Sequence, residues 1–249
     1  MQAIYNMLFD DSGLKSESDS DVEIVVARYE EDLQWLFPSG KHAIIYNKGK
    51  ALDAETAAKF KAVVELPNVG REAHTYLYHI VNKWDTLAKV TIFVQGRIND
   101  HCPIVYRHRL DSYVRELGRQ ASLYGVSKNA CAHRKGLMSA IPEFKMSTFY
   151  PYIQDTGLTY GVWLEARVLR HLVPKTSTCI QVPSFPQHLK WYIGAVFAAE
   201  RVAIKKTSKF IYEGLLEDLS GARDPESAYF MERTWYFLMT HDFPRIPIL

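Results

Sequence analysis

Apolar spacing divides the chain into a regular first half and a looser second half. Val22 to Ala27 (VEIVVA), Ala43 to Tyr46, Ala62 to Leu66 and Val90 to Val94 are short apolar runs rich in β-branched residues, each followed by a polar turn, and they predict strands. Glu30 to Phe37 (EEDLQWLF) predicts a short helix entered through Arg28 and Tyr29. Between the third and fourth runs, Ala73, Tyr76, Leu77, Ile80 and Val81 recur at i, i+3, i+4, i+7 and i+8, which predicts a helix from near Arg71 with one apolar face. Asn68 is its expected N-cap, Gly70 gives the backbone room to bend, and Glu72 in the first turn complements the macrodipole. His74 and His79 fall on the polar side and are expected to be solvated or hydrogen-bonded. Strand, helix, strand, connection, strand, helix, strand is the order of an α/β fold with a parallel sheet and right-handed crossovers.

Past His101 the pattern is less regular. Asp111 is the expected cap of a helix carrying Tyr113, Val114, Leu117, Ala121 and Tyr124, and Asn129 to Gln187 reads as long loops of the kind that form lids or binding surfaces. Trp191 to Ala199 (WYIGAVFAA) predicts a strand interrupted at Gly194, where a ligand or a second backbone could pass close. Ser208 caps a helix to about Leu219. Asp224 and Pro225 open a stronger helix to Met239, with Ala228, Met231, Trp235, Leu238 and Met239 on its buried face. Glu232 lies at the edge of that face, paired with a cation or lining a cavity, and Arg233 points farther out.

Composition narrows the class. At 249 residues and 47% hydrophobic, one elaborated α/β domain over residues 22–249 fits better than two small ones, with 1–21 as an N-terminal segment and acidic, Ser-rich linker. Within it, 22–101 forms the regular half and 102–249 the irregular one. A formal charge of +2, with no block alternating basic and aromatic residues, argues against a nucleic-acid polymer as partner. Three cysteines without CxxC spacing argue against a disulfide framework or structural zinc and for a reducing compartment, and the expected location is cytoplasmic. No apolar run reaches the roughly 18 residues of a transmembrane span, and Met1 to Phe9 lacks the features of a signal peptide.

The candidate chemistry sits in the turns. In a parallel sheet the four strand ends share one edge, so Arg28 to Asp32, Asn47 to Gly49, Asn68 to Glu72 and Gln95 to His101 are expected to converge where open α/β sheets bind ligands. A helix start flanked by Arg71 suits a phosphate, although a capped amphipathic helix is most often purely structural.

Six blocks carry a resemblance: VVARYEEDLQWL, IYNKG, ELPNVGREAHTYLYHIV, VTIFVQGRINDH, YIGAVFAAERVAIKKTSKFIYEGLLEDL and YFMERTW. In this order they resemble a family of glycosyltransferase-like proteins from fungi, bacteria and large viruses, catalogued as a domain of unknown function, with PNxGRE and ExxW the more specific elements. The resemblance implies a single GT-A-like domain, with a Rossmann-like, mostly parallel central sheet flanked by helices that binds the nucleotide, and a more irregular acceptor-side C-terminal half. It further implies that Arg28, Tyr29, Glu30, Asn47 and Lys48 border base and ribose, and that Asn68, Gly70, Arg71 and Glu72 hold the nucleotide or its diphosphate. Gln95, Gly96, Asp100 and His101 would stand where such enzymes keep an Asp-x-Asp metal motif. That motif is missing here; Asp100 and His101 remain as ligands for Mn²⁺ or Mg²⁺, and the alternative is that Lys48, Arg71 and Arg97 neutralise the diphosphate without metal.

The implied reaction moves a sugar from a nucleoside-diphosphate sugar, such as a UDP-sugar, to a hydroxyl of a glycan or glycoconjugate acceptor. Glu232 is the expected base of an inverting transfer, and Trp191, Tyr192, Gly194 and Trp235 either shape the sugar or acceptor pocket or pack structurally. The missing Asp-x-Asp motivates a rival, a nucleotide-sugar or glycan-binding protein that has lost catalysis. A sugar nucleotidyltransferase ranks lower, because RYEEDLQW lacks the Gly-rich basic loop such enzymes carry after the first strand.

Overall fold

The computed structural model describes residues 21–98, 110–127, 143–148, 150, 152–172 and 191–240. It is a mixed α/β fold built on one five-stranded sheet of order β3-β2-β1-β4-β5. Strands β1 (Val22–Arg28), β2 (Ala43–Asn47), β3 (Ala62–Glu65) and β4 (Val90–Gln95) are parallel, as their runs predict, and β5 (Phe197–Glu200) closes the edge antiparallel to β4. The irregular half thus contributes a strand to the same sheet. From β1 the chain moves outward through β2 and β3 and returns to β4 on the other side of β1. The strand order reverses there, which makes the carboxyl ends of β1 and β4 a topological switch point.

Helices α1 (Arg71–Asn82), α2 (Leu110–Tyr124), α3 (Tyr160–Leu164), α4 (Lys209–Leu219) and α5 (Glu226–Thr240) flank the sheet. The central strands are apolar without alternation because both of their faces are covered. Ile24, Val26, Ile45 and Ile92 pack with Leu36 and with Val114, Leu117 and Ala121 of α2. Val25, Ile44 and Phe93 pack on the opposite side with Ala73, Tyr76, Leu77 and Ile80 of α1 and with buried residues of α3, α4 and α5. Among the described residues no helix is long and apolar enough to cross a membrane. The predicted linker before Asp21 and most of the Asn129 to Gln187 loops lie outside the described residues.

Four local expectations change. Glu30 to Phe37 does not form an α-helix; a 3₁₀ helix runs over Gln34–His42 instead. Asp32 accepts from the Gln34 amide at 2.8 Å, Leu36 bonds back to the Leu33 carbonyl at 2.9 Å, and Pro38 removes a donor the α form would need. Trp191 to Ala199 is not one strand: Gly194 takes φ 72° in a 3₁₀ turn, Ile193–Ala195, and the strand begins only at Phe197. Asp111 lies within helix α2 rather than at its cap. Ser208 stands at the N-cap of α4 but makes no side-chain capping bond.

His74 and His79 are buried, contrary to the polar-face expectation. The sheet, α4 and α5 together cover more of α1 than one apolar stripe. His79 is hydrogen-bonded, its Nδ1 lying 2.9 Å from the Tyr46 hydroxyl, while its Nε2 lies 3.3 Å from a Glu23 carboxylate oxygen. That carboxylate would favour an imidazolium, but it is already bonded to Lys61 at 2.9 Å. Burial, with Lys83 and Lys61 nearby, wins and takes His79 down to about 3. Burial and then Lys48 take His74 down to about 4. The folded chain therefore holds both rings neutral where the unfolded chain, titrating near 6.5, binds protons. Stability contributed by these groups is complete above that value and falls as pH drops below it, by about 1.4 kcal/mol per pH unit for each histidine. Denaturant titrations between pH 6.5 and 4.5 should show this decline. His79→Gln, which keeps an acceptor for Tyr46, should remove one histidine's share; an unchanged slope would contradict the assignment.

Candidate functional site

The carboxyl ends of β1 and β2 are fastened to each other by a buried cation. Arg28 pairs in register with Asn47. Its guanidinium donates to Asn47 Oδ1 at 2.5 Å, to the Lys50 carbonyl at 2.8 Å and to the Glu31 and Tyr29 carbonyls at 3.0 and 3.3 Å. Asn47, fully buried, donates onward to Gly49 O, Lys50 O and Glu65 Oε2. Gly49 is required by this closeness, since a Cβ there would sit 1.9 Å from the Tyr29 carbonyl oxygen. Arg28 and Asn47 thus spend their polar groups on the loops that form the rim. Glu30 is exposed beside Gly49.

At the end of β4, Gly96 bonds to the Ala27 carbonyl at 2.8 Å and its own carbonyl accepts from Trp35 Nε1 at 3.0 Å. Glu31 fills the gap between the two strand ends: its carboxylate accepts from the Tyr29 amide at 2.7 Å, and a Cβ at Gly96 would lie 2.6 Å from it. Arg97 is exposed.

The turn into α1 is unusual. Gly70, not Asn68, is the N-cap, with φ 59°, and Arg71 follows with φ 51°, a left-handed conformation that is uncommon for a residue with a side chain. The Gly70 amide bonds to the Ala222 carbonyl at 2.8 Å, and the turn lies so near Leu219 that a Cβ on Gly70 would meet its carbonyl oxygen at 2.6 Å. Lys48, buried, donates to the carbonyls of Val69 at 2.6 Å and Arg71 at 2.5 Å. Burial lowers Lys48 to about 7, against the opposing pull of Glu72. The Arg71 guanidinium bonds Tyr229 Oη at 2.8 Å and Asp224 at 3.4 Å, with Glu72 at 3.7 Å. Burial works against its charge, but Glu72, Tyr229 and Asp224 together hold it above the ordinary arginine value.

These turns enclose a cleft of about 360 Å³ at the switch point, within the range of small-molecule sites. Of the predicted residues, Arg28, Tyr29, Lys48, Asn68, Arg71, Glu72 and Gln95 lie on its wall. Ala27, Glu31, Arg223 and Asp224 join them. The sequence offered Asp224 only as a helix cap, and Arg223 carried no signal of its own; nothing in local spacing places α5's start against α1. Formally the wall carries four cations (Arg28, Lys48, Arg71, Arg223) and three carboxylates (Glu31, Glu72, Asp224). Arg223 lies over the Tyr29 ring at 5.7 Å.

Glu232 is not on that wall. Its Oε1 accepts from the Gly194 amide at 2.7 Å, its Oε2 lies 4.0 Å from Arg233, and the Gly194 carbonyl accepts from Gln95 Nε2 at 3.0 Å. The carboxylate therefore stands one hydrogen-bonded turn behind Gln95. Arg233 does not point outward; it lies between the Phe144 and Trp191 rings, 4.1 and 4.6 Å from their centres. Trp235 and Tyr192 are core residues, packed on Phe197 at 5.4 and 4.7 Å. Asp100 and His101 lie outside the described residues. Among the described residues no three histidine, cysteine or acidic side chains gather as a metal site would need.

Removing the Arg28 guanidinium would leave the carbonyls of Glu31 and Lys50 and the Asn47 oxygen without their donor. Arg28→Met should cost about 3 kcal/mol in denaturant unfolding. A loss under about 1 kcal/mol would show that the rim does not depend on it.

No curated protein and no solved structure matches the chain. One family model does, over residues 24–247, and its description is "Protein of unknown function (DUF3431)".

Proposed function

The chain belongs to the DUF3431 family, and on that premise we propose that it is a nucleotide-sugar-dependent glycosyltransferase of GT-A-like fold, which takes its donor in the switch-point cleft. One observation carries this reading: Arg71, Lys48 and Arg223 meet the amino end of α1 in a cleft at the carboxyl ends of parallel strands. A diphosphate carries dispersed negative charge, and helix amides and arginines suit it. Arg71 is available for exchange, since its Asp224 partner is at 3.4 Å and both side chains are partly exposed, 37% and 23%. Such a pair contributes at most about 1 kcal/mol, so a phosphate can displace the carboxylate. Tyr29, exposed at the rim, offers a ring face to a base.

In the transfer, the acceptor oxygen forms a bond to the anomeric carbon as the bond to the diphosphate breaks. The diphosphate leaves with the electron pair, and the acceptor's proton passes to a carboxylate, for which Glu232 is the candidate. The acceptor would approach over the Gln95–Gly194 side. Glu232's engagement with Gly194 and Arg233, behind the wall, favours a second reading, in which the cleft binds the nucleotide sugar without transferring it.

Calorimetry with UDP and a panel of nucleotide sugars, with and without Mn²⁺, tests the binding. Arg71→Ala should weaken it at least tenfold, about 1.4 kcal/mol; no binding by the unsubstituted protein to any member would overturn both readings. Glu232→Gln keeps an acceptor for the Gly194 amide, so it should bind donor normally and transfer about 100-fold to 10,000-fold more slowly. A loss below about tenfold removes Glu232 from the role. Binding without transfer or hydrolysis across a broad acceptor panel supports the second reading.

A further inference from the structure

Lys48 lines the cleft, yet its ammonium is turned toward main chain: Nζ donates to the carbonyls of Val69 and Arg71, which bracket Gly70. Those carbonyls flank Gly70 and Arg71, one of the two places in the described backbone, with Gly194 and Ala195, where consecutive residues have positive φ. A left-handed arginine costs free energy that local sequence does not recover, so something outside the turn has to hold it. Three contacts do so. Ala222 O receives the Gly70 amide, Leu219 closes the space a side chain would need at Gly70, and Lys48 spans the turn from β2. Of the three, Lys48 is the one that reaches the carbonyl of the left-handed arginine itself.

We propose that Lys48 is a positioning residue: by holding the carbonyls of Val69 and Arg71 it keeps the left-handed turn in the form that presents the first amides of α1 and the Arg71 side chain to an anion, and so sets the cleft's affinity for phosphate-like groups. This rests on the reading of the cleft as an anion site. It differs from a direct role for Lys48 as a ligand to the diphosphate, because two of its three N–H donors are given to those carbonyls.

A pH dependence follows. The charged groups around Lys48 are Glu72, which favours its ammonium, Arg71, which shares the turn, and His74, already neutral near pH 7. Arg71 is held above the ordinary arginine value and keeps its charge, while Lys48 loses its proton as pH rises through about 7. The ammonium's bonds to the carbonyls weaken, and the positive charge beside the cleft disappears. Anion affinity should fall over that interval.

Sulfate is the probe, because it stays a dianion across the range. Titrations of the full chain from pH 6 to 8.5 should show affinity falling about tenfold as pH rises, whereas Lys48→Arg, which stays charged, should show a flat profile at or near the low-pH affinity. Lys48→Met should bind at least tenfold more weakly at pH 6, with thermal unfolding confirming a folded chain. A flat profile for the unsubstituted protein, or Lys48→Met binding as tightly as it does, overturns the proposal. If UDP still binds in either case, the cleft reading survives and only the role of Lys48 is lost. If neither sulfate nor UDP binds, the cleft reading fails and this inference with it.

Discussion

Backbone carbonyls at the ends of parallel strands have no ladder partners, and in this chain two buried cations supply them. Arg28 gathers the carbonyls of Tyr29, Glu31 and Lys50, and Lys48 gathers those of Val69 and Arg71. A buried carbonyl without a donor costs about 1 to 3 kcal/mol, so these side chains determine which loop conformations are accessible. They sit on adjacent parallel strands, at β1's last residue and one past the end of β2. The cleft exists because these strand exits are held open in fixed shapes instead of collapsing on the switch point. Glu31 adds the third support, filling the space between β1 and β4 that Gly96 leaves.

This arrangement gives the charges two functions. Arg28 and Lys48 direct their hydrogen bonds to loop carbonyls and Asn47, while Arg71 and Arg223 contact groups that are partly exposed or aromatic, Asp224 and Tyr229 for one and the Tyr29 ring for the other. Counting cations on the wall therefore overstates what a ligand can use. Arg71 and Arg223 come from widely separated parts of the chain, and they reach one cleft only when α1 and the start of α5 meet. Burial decides at His79 too, where desolvation outweighs the Glu23 carboxylate 3.3 Å away and keeps the imidazole neutral.

The regular half was legible because its signals are local. Four parallel strands and α1 follow from apolar runs and one helical stripe, and seven wall residues follow from where those runs stop. What escaped depended on contacts distant in sequence. The turn at Gly194 needs Gln95 and Glu232 on its two sides, and the αL cap at Gly70 needs Ala222 and Leu219; none of these is visible from neighbouring residues. Asp224 read as a helix cap because that is its local grammar, and its second use, facing Arg71, is tertiary. Trp235 and Tyr192 read equally well as pocket or packing, and the aromatic core around Phe197 took both.

The account stands on a ligand entering at the switch point and contacting four strand exits at once. Amide hydrogen exchange with and without saturating UDP measures this directly. It predicts slowed exchange in 28–31, 47–49, 68–73 and 95–96, with the amino-terminal ends of β1 and β4 unchanged. Protection confined to those opposite ends, or to none of the four exits at saturation, would contradict it.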